Sequence, residues 1–299
     1  MNGRDRGFWF GVGAYASWGV FPLYWKLLAA VPVAQVIGHR VLWSSLMLAA
    51  YVAASGQHAS LRRAIRQPGV LRTYALAALL IAVNWAGFIW AVGAGYVVET
   101  SLGYYINPLL SVLIGVFVLG ESLRPWQWVA IALAASGVVY LTLSLGQVPW
   151  ISLLLAGSFA MYALVKKRAP LGPVPGLTLE TGLLALPALL VLAWSEHDGS
   201  AALGHGPAAE SLLLVGAGAV TTAPLLMFAT AAQRIPMLWI GILQYIAPTL
   251  QLAIGVLVFR EPFSHERLVG FSLVWAALVV FAVEGVAAHR AASVVPPPE

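Results

Sequence analysis

The chain has 299 residues, of which 61% are hydrophobic and only 9% charged, and its formal net charge is +5. This composition leaves too little polar surface to cover a soluble globule, so it predicts an integral membrane protein in contact with the lipid bilayer. The basic residues lie in short clusters between apolar runs, with no basic stripe, which argues against nucleic acid as a partner. The absence of cysteine excludes disulfides and thiolate metal sites.

Ten apolar runs of roughly 20 residues, the length of a helix that crosses a bilayer, follow one another along the chain. The connections between them are short and carry prolines and glycines, so no soluble domain fits between the runs. The sequence therefore predicts an all-α integral membrane protein with ten transmembrane helices. The runs lie near 7–25, 34–54, 70–93, 97–119, 126–144, 149–166, 174–194, 210–232, 237–259 and 265–286.

The basic residues divide unequally between alternate connections. With the N-terminus inside, twelve Lys and Arg residues fall on one side of the membrane and four on the other, namely Lys26, Arg40, Arg260 and Arg267. Because positively charged connections stay in the cytoplasm, both termini are predicted to be cytoplasmic. The tail 291–299, with three prolines before its last residue, is predicted to be disordered.

One stretch of the sequence occurs twice. YYINPLLSVLIGVFVLGE ends at Glu121 and QYIAPTLQLAIGVLVFRE ends at Glu261, and nine of these eighteen positions are identical at an offset of 140 residues. Five predicted helices precede the midpoint and five follow it, and an odd number in each repeat inverts the second copy in the membrane. The sequence thus predicts two inverted-topology five-helix repeats, 1–145 and 146–290, which is the architecture of alternating-access carriers.

Polar and small residues form a stripe on each of the two duplicated helices. Each stripe contains a proline that leaves the carbonyl four residues earlier without a helical donor, so Pro108 and Pro248 are predicted helix breaks. Polar groups at this depth need partners, so we expect the stripes to face a substrate cavity. The alternative is close helix packing around a proline kink. The residues predicted to bind substrate are Tyr104, Asn107, Gln244, Tyr245 and Gln251.

The third predicted helix combines an amide with aromatic rings, in Asn84, Trp85 and Trp90. This combination suits a site for an amphipathic, partly aromatic small molecule, on which the two tryptophans would stack. The alternative for both tryptophans is ordinary packing or a place in the aromatic belt at the membrane interface.

Four charged or titratable residues are candidates for gating or coupling. His39 and Arg40 lie about one and a half turns inside the outer end of the second predicted helix, where a charge is costly. They would attract an anionic group or gate the outer side, the alternative being that Arg40 snorkels to the headgroups. The repeat offset aligns Arg40 with Glu180, which lies at the opposite, cytoplasmic end of its helix and is either a proton-titrating gate or interfacial. Glu99, near the outer start of the fourth helix, completes this set.

Glu121 and Glu261 end the duplicated helices and are expected to be interfacial. Local pairing would join Glu121 to Arg124, and Glu261 to Arg260 or Arg267. No motif for hydrolysis or for nucleotide binding occurs, and the six histidines have no metal-ligand spacing. The chain is therefore predicted not to be an enzyme and to use no cofactor and no metal.

Six segments carry a resemblance to a known family: SWGVFPLYWKLL (17–28), GHRVLWS (38–44), NWAGFIWAV (84–92), ETSLGYYINPLLSVLIGVFVLGE (99–121), LTLETGLLALP (177–187) and LQYIAPTLQLAIGVLVFREPF (243–263). They resemble the RarD-type permeases of the EamA branch of the drug/metabolite transporter superfamily. The blocks GYYINP and QYIAPTLQ are the most specific. Arg260 departs from the pattern, since the second repeat would usually have glycine there.

The resemblance implies a bacterial inner-membrane carrier with a central cavity between two five-helix halves. It also implies an exporter driven by an ion gradient, such as protons, or by substrate exchange. The prediction is a secondary active transporter of a small organic metabolite or drug such as chloramphenicol, by alternating access. A facilitative uniporter or exchanger on the same fold, a membrane-embedded enzyme and a non-transporting subunit of a complex are the alternatives. The glycine-rich helix faces also permit a homodimer.

Overall fold

The structure, a computed structural model, describes residues 3–56, 58–93, 97–145, 150–260 and 265–294. Within these ranges the chain forms twelve helices and no strand. They are α1 (Gly3–Lys26), α2 (Val33–Ala54), α3 (His58–Ile65), α4 (Val70–Gly93), α5 (Val97–Leu119), α6 (Pro125–Leu145), α7 (Trp150–Arg168), α8 (Pro173–His197), α9 (Ala208–Arg234), α10 (Met237–Leu243), α11 (Ile246–Leu257) and α12 (His265–Val294).

Seven helical segments among the described residues are long and apolar enough to cross a membrane. They come from α2, α4, α6, α7, α8 and α9 and from the α10–α11 pair, while α5 and α12 contain shorter apolar segments. The prediction of an all-helical, multi-pass membrane protein is therefore confirmed. The sequence did not predict α3, which has only eight residues and carries Arg62 and Arg63 in its last turn.

Prolines and one glycine set several helix ends. Pro32, Pro207 and Pro236 immediately precede α2, α9 and α10, where their fixed φ is compatible with entry into a helix. At the end of α5, Gly120 has a φ of 71° and the amide of Glu121 donates to the Gly115 carbonyl at 2.9 Å. This left-handed turn ends the helix and satisfies one of its free carbonyls.

The two predicted helix breaks have different outcomes. The helix that contains Pro248 is interrupted just before it, at Gln244 and Tyr245, which separate α10 from α11. By contrast, α5 runs through Pro108 without interruption, so the break expected there is absent. The physical reason is that α6, α7 and α10 all pack on α5, and such packing holds a helix together across one missing hydrogen bond.

The predicted boundary of the C-terminal tail is also wrong. Helix α12 continues to Val294, beyond the expected start of disorder at residue 291. Ala291 and Ala292 favour helix, and the first proline of the tail comes only at Pro296. Residues 295–299 lie outside the described part of the chain.

The helices of the first half pack mainly on those of the second. Helix α1 packs on α9, α4 on α7, α2 on α8, α5 on α10 and α6 on α12. An aromatic cluster fills the centre, where the rings of Tyr162 and Phe228 stack with centroids 5.9 Å apart. Where α2 crosses α9, a Cβ on Gly218 would lie 2.5 Å from the Cβ of Trp43, so only glycine allows this approach. The crossing brings α2 and α9 together one turn from Arg40.

Candidate functional site

Arg40 of α2 reaches into the space between four other helices. Its Nε donates to the Oγ1 of Thr221 on α9 at 3.1 Å. Its Cζ lies 4.2 Å from the ring centre of Trp85 on α4 and 5.1 Å from that of Trp25 on α1. Tyr104 of α5 is close enough to interact with the charge electrostatically. The guanidinium therefore points into the bundle, which favours a place in a cavity over the snorkelling alternative.

The charge of Arg40 has no carboxylate partner among the described side chains. Within the same part of the chain, its single hydrogen bond uses Nε, so the two terminal nitrogens, with four of the five N–H donors, make none. Each aromatic face stabilises a cation by about 0.5–2 kcal/mol. The two ring contacts therefore offset only part of the free energy that it costs to bury this charge. The site is thus electropositive and lined with aromatic rings.

Three of the predicted residues each have a buried polar atom without a partner in the described part of the chain. A fourth, Tyr104, lies near Arg40. The Nδ1 of His39, the Oδ1 of Asn107 and the hydroxyl of Tyr245 make no hydrogen bond there. Tyr104 packs on the ring of Phe88, with centroids 5.9 Å apart. Buried polar atoms without protein partners are usually completed by water or a ligand, so these positions are candidates for substrate contact.

Gln244 and Gln251 hold the broken helix to its neighbours. The Nε2 of Gln244, at the break, donates to the Oγ of Ser111 on α5 at 3.1 Å. The Nε2 of Gln251 donates at 3.1 Å to the carbonyl of Trp18, which is the carbonyl that Pro22 leaves without a helical donor. Sequence reasoning missed this partner, although the argument that singled out Pro108 and Pro248 applies equally to Pro22.

Asn84 and Trp90 do not face Arg40 in the way the sequence predicted. Asn84 joins two helices, and Trp90 packs elsewhere. The Nδ2 of Asn84 donates to the Leu155 carbonyl at 2.8 Å and to the Ser158 Oγ at 3.0 Å, which ties α4 to α7. The Trp90 side chain is 51% exposed and packs on Trp150 at 5.5 Å. The structure therefore does not bring Trp90 to Trp85, and a place in the interfacial belt fits its exposure.

Glu180 lies in a buried ion pair at the end of the bundle where α7 connects to α8. Its Oε1 accepts from the Nζ of Lys166 at 2.6 Å and its Oε2 from the hydroxyl of Tyr162 at 3.0 Å. Lys166 and Glu180 are each 1% exposed, so the interfacial alternative for Glu180 is wrong. The two residues are 14 positions apart across the α7–α8 turn, a spacing from which sequence reasoning did not infer the pair.

The α7–α8 connection beside this ion pair is fastened to three neighbouring elements. The backbone of Leu171 exchanges hydrogen bonds with the hydroxyl of Tyr74 on α4, at 3.1 and 3.2 Å. Its carbonyl also accepts from Gln233 on α9 at 2.8 Å, and Lys167 donates to the Ile235 carbonyl at 2.9 Å. In this conformation polar contacts therefore close this end of the bundle.

Glu121 caps a helix, and the expected pair with Arg124 is wrong. The two carboxylate oxygens of Glu121 accept from the amides of Met237 and Leu238 at 2.8 and 3.0 Å. These are free amides at the start of α10, where a negative charge is favoured. Arg124 pairs instead with Glu284 at 2.8 Å.

The predictions for Glu99 and Glu261 concern side chains outside the described part of the chain. Among the residues that are described, no group of three or more His, Asp or Glu side chains could hold a metal ion.

Comparisons with known proteins also point to a family of membrane transporters. The model of the EamA-like transporter family matches residues 5–143. Protein RarD of Streptomyces exfoliatus is 44% identical over 93% of this chain and 89% of its own, and uncharacterized transporter YojE of Bacillus subtilis is 44% identical over 93% and 94%. The chloramphenicol-sensitive protein RarD of Pseudomonas aeruginosa is 32% identical over 94% of each chain. A solved structure with 21% identity has a TM-score of 0.68 and covers 93% of this chain and 97% of that one, which shows a shared fold.

Proposed function

Because the chain belongs to the RarD-type permeases of the EamA-like transporter family, we propose that it is a secondary active transporter that exports a small organic metabolite or drug by alternating access. One observation carries this proposal. The site at Arg40 takes Trp85 and Tyr104 from the first half of the chain and Thr221 from the second. A relative movement of the halves would open or close such a site.

We place the chain in the membrane as ten spans, in which α10 and α11 form one and α3 forms none. The first repeat is 1–145 and the second, inverted repeat is 146–290. The packing pattern supports this assignment. If each helix is replaced by its counterpart in the other repeat, α1 by α7 and α9 by α4, the α1–α9 contact becomes the α7–α4 contact, which is also present. The same exchange leaves α2–α8, α5–α10 and α6–α12 unchanged. The bias of basic residues places both termini in the cytoplasm of a bacterial cell, with the protein in the inner membrane.

The proposed substrate contacts lie near Arg40 or have a polar atom without a partner among the described residues. They are Trp85, Tyr104, Asn107 and Tyr245. His39, whose Nδ1 also has no described partner, keeps its proposed role in gating. Asn84, Gln244 and Gln251 already have protein partners in this conformation. Their proposed role is to exchange those partners for substrate when the halves move.

The Lys166–Glu180 pair is the proposed inner lock. Rupture of the pair would accompany inward opening, because the pair sits beside the connection that fastens α7 and α8 to the rest of the bundle. Glu180 is also the proposed proton-coupling group. Protonation would remove its charge, and with it the attraction that holds Lys166.

The test is uptake of labelled chloramphenicol, aromatic metabolites and amino acids into proteoliposomes, with and without an imposed pH gradient. A carrier coupled to protons accumulates at least one compound when the gradient is present, and Glu180→Gln loses this accumulation while retaining counterflow. Equilibration that ignores the gradient would indicate a facilitative uniporter or exchanger. Absence of flux for every compound, together with co-purification of a stoichiometric partner, would overturn the proposal in favour of a non-transporting subunit.

A further inference from the structure

We infer that the substrate is an organic anion, an aromatic or otherwise amphipathic carboxylate whose charged group binds the terminal nitrogens of Arg40. The inference rests on the proposed function for transport, but its binding step depends only on the Arg40 site.

The first argument is the geometry of the free donors. Nε of Arg40 is held by Thr221, and the planar group lies against the ring of Trp85. This fixes the plane of the guanidinium, and neither terminal nitrogen donates to any residue that the structure describes. A carboxylate accepts two parallel hydrogen bonds from such a fork, which a neutral amide or a cation does not match.

A second buried cation of the chain, Lys166, has a carboxylate partner. Lys166 is neutralised by Glu180, the residue that aligns with Arg40 at the repeat offset. At the Arg40 position the chain supplies a cation where the other repeat supplies the carboxylate, and no described side chain compensates it. A bound carboxylate would supply at Arg40 the negative charge that Glu180 supplies at Lys166.

The third argument is the apolar wall of the site. Trp25 and Trp85 face the guanidinium, and Phe88 packs on Tyr104, which interacts with the same charge. Aromatic faces around one convergent charge suit a ligand with a carboxylate at one end and an apolar body.

The experiment compares matched acids and amides. Purified protein in nanodiscs of neutral phosphatidylcholine is titrated calorimetrically with indole-3-acetate and indole-3-acetamide, and likewise with benzoate and benzamide and with octanoate and octanamide. At least one carboxylate should bind about tenfold more tightly than its amide, as expected for charge-assisted hydrogen bonds. The inference is overturned if no acid is preferred over its amide.

Three variants locate the preference. Arg40→Gln should abolish it, and Arg40→Lys, which keeps the charge but loses the fork, should retain only part of it. Arg72→Gln removes an exposed cation at the start of α4 and should leave the preference unchanged. A preference that survives in folded Arg40→Gln, with folding checked by its thermal transition, would contradict the assignment. Arg40→Lys keeps the test decisive if Arg40→Gln does not fold.

A phospholipid phosphate shares the anionic chemistry of the proposed ligand. Replacing about a tenth of the phosphatidylcholine by phosphatidylglycerol, in about 0.5 M salt that screens the surface charge, should change the Kd of the carboxylate by less than about twofold, because Arg40 points into the bundle. Loss of binding in phosphatidylglycerol would assign Arg40 to a lipid headgroup and overturn the inference. Binding without flux would overturn the carrier alone, whereas flux of neutral compounds with no preference for carboxylates would overturn this inference alone.

Discussion

The two cations inside the bundle are stabilised in opposite ways. Lys166 is 1% exposed and paired with Glu180 at 2.6 Å, whereas Arg40 is held by one hydrogen bond and two aromatic faces without a described carboxylate partner. Lys166 thus lies in a neutral, self-contained pair with Glu180. Arg40 keeps a charge that an external group could neutralise. This difference is the reason why the pair is proposed as a lock and the Arg40 site as the place where a ligand binds.

The largest expected effect on stability comes from removing one member of the Lys166–Glu180 pair. Lys166→Met leaves the Glu180 carboxylate buried without its cation, and breaking a buried pair in this way costs about 3–5 kcal/mol. Arg40→Met removes a cation that has no carboxylate partner among the described side chains, so we expect a loss of about 1 kcal/mol, from its Thr221 hydrogen bond and ring contacts. Reversible unfolding in mixed micelles, compared between the two variants, measures the contrast.

The double variant Lys166→Met/Glu180→Gln is the control for that contrast. It leaves no uncompensated charge, so it should recover most of the stability lost in Lys166→Met. If the loss in the double variant equals the sum of the losses in Lys166→Met and Glu180→Gln, the pair does not act as a unit and the comparison with Arg40 fails.

Glu121 provides an intermediate case, a carboxylate paired with backbone amides. Glu121→Ala should lower the free energy of unfolding by about 1–2 kcal/mol, because two amides at the start of α10 lose their acceptors and Lys167, whose Nζ lies 3.8 Å from Oε1, loses its carboxylate. Arg124→Ala removes a pair whose arginine side chain is 59% exposed, and should cost less than about 1 kcal/mol. Equal losses in the two variants, measured by the same unfolding assay, would contradict the capping role.

A smaller effect is expected where the repeats differ in one turn. Arg260 has a φ of 55° at the position that matches Gly120, whose φ is 71°. Arg260→Gly should stabilise the protein by about 0.5 kcal/mol, since relief of the left-handed conformation exceeds the entropy that glycine loses on folding. Gly120→Ala should destabilise it by about 1 kcal/mol. A destabilising Arg260→Gly would mean that the arginine side chain, and not its backbone, matters at this turn.

The smallest effect concerns Asp198, in the connection after α8. Hydrogen bonds from the side chain and amide of Ser200 lower the pKa of Asp198 below its usual value of 3.8. A lowered pKa means that the stabilisation is present above the unfolded-state pKa and is lost as the pH falls through the folded-state pKa. The melting temperatures of the wild type and Asp198→Asn should therefore differ at pH 6, and this difference should shrink as the pH falls below about 4. A difference that stays constant as the solution is acidified would refute this origin.

Sequence reasoning succeeded where hydrophobicity alone decides the outcome. Long apolar runs predicted the seven described helical segments that are long and apolar enough to cross a membrane, and segments such as GYYINP indicated the family. It failed for α3, whose eight residues are too few for an apolar run, and for Pro108, because whether a proline ends a helix depends on neighbours not adjacent in sequence.

Partner assignments were the least predictable part of the site. The position of Arg40 inside the membrane was inferred from its distance to the helix end, but its contact with Thr221, 181 residues away, depends on how α2 crosses α9. The Lys166–Glu180 pair depends in the same way on the α7–α8 turn. Trp90 was grouped with Trp85 by residue type, whereas its actual neighbour is Trp150.

Alternating access is tested most directly by cysteine labelling, since the chain has no native cysteine. Thr222→Cys reports on the Arg40 side and Thr181→Cys on the Glu180 side, and both positions are buried. Each is labelled with a water-soluble maleimide, in otherwise wild-type protein and in the Lys166→Met/Glu180→Gln background that lacks the inner lock. The account predicts that removing the lock speeds labelling at position 181 and slows it at position 222. Labelling that changes in the same direction at both positions, or at neither, would contradict it.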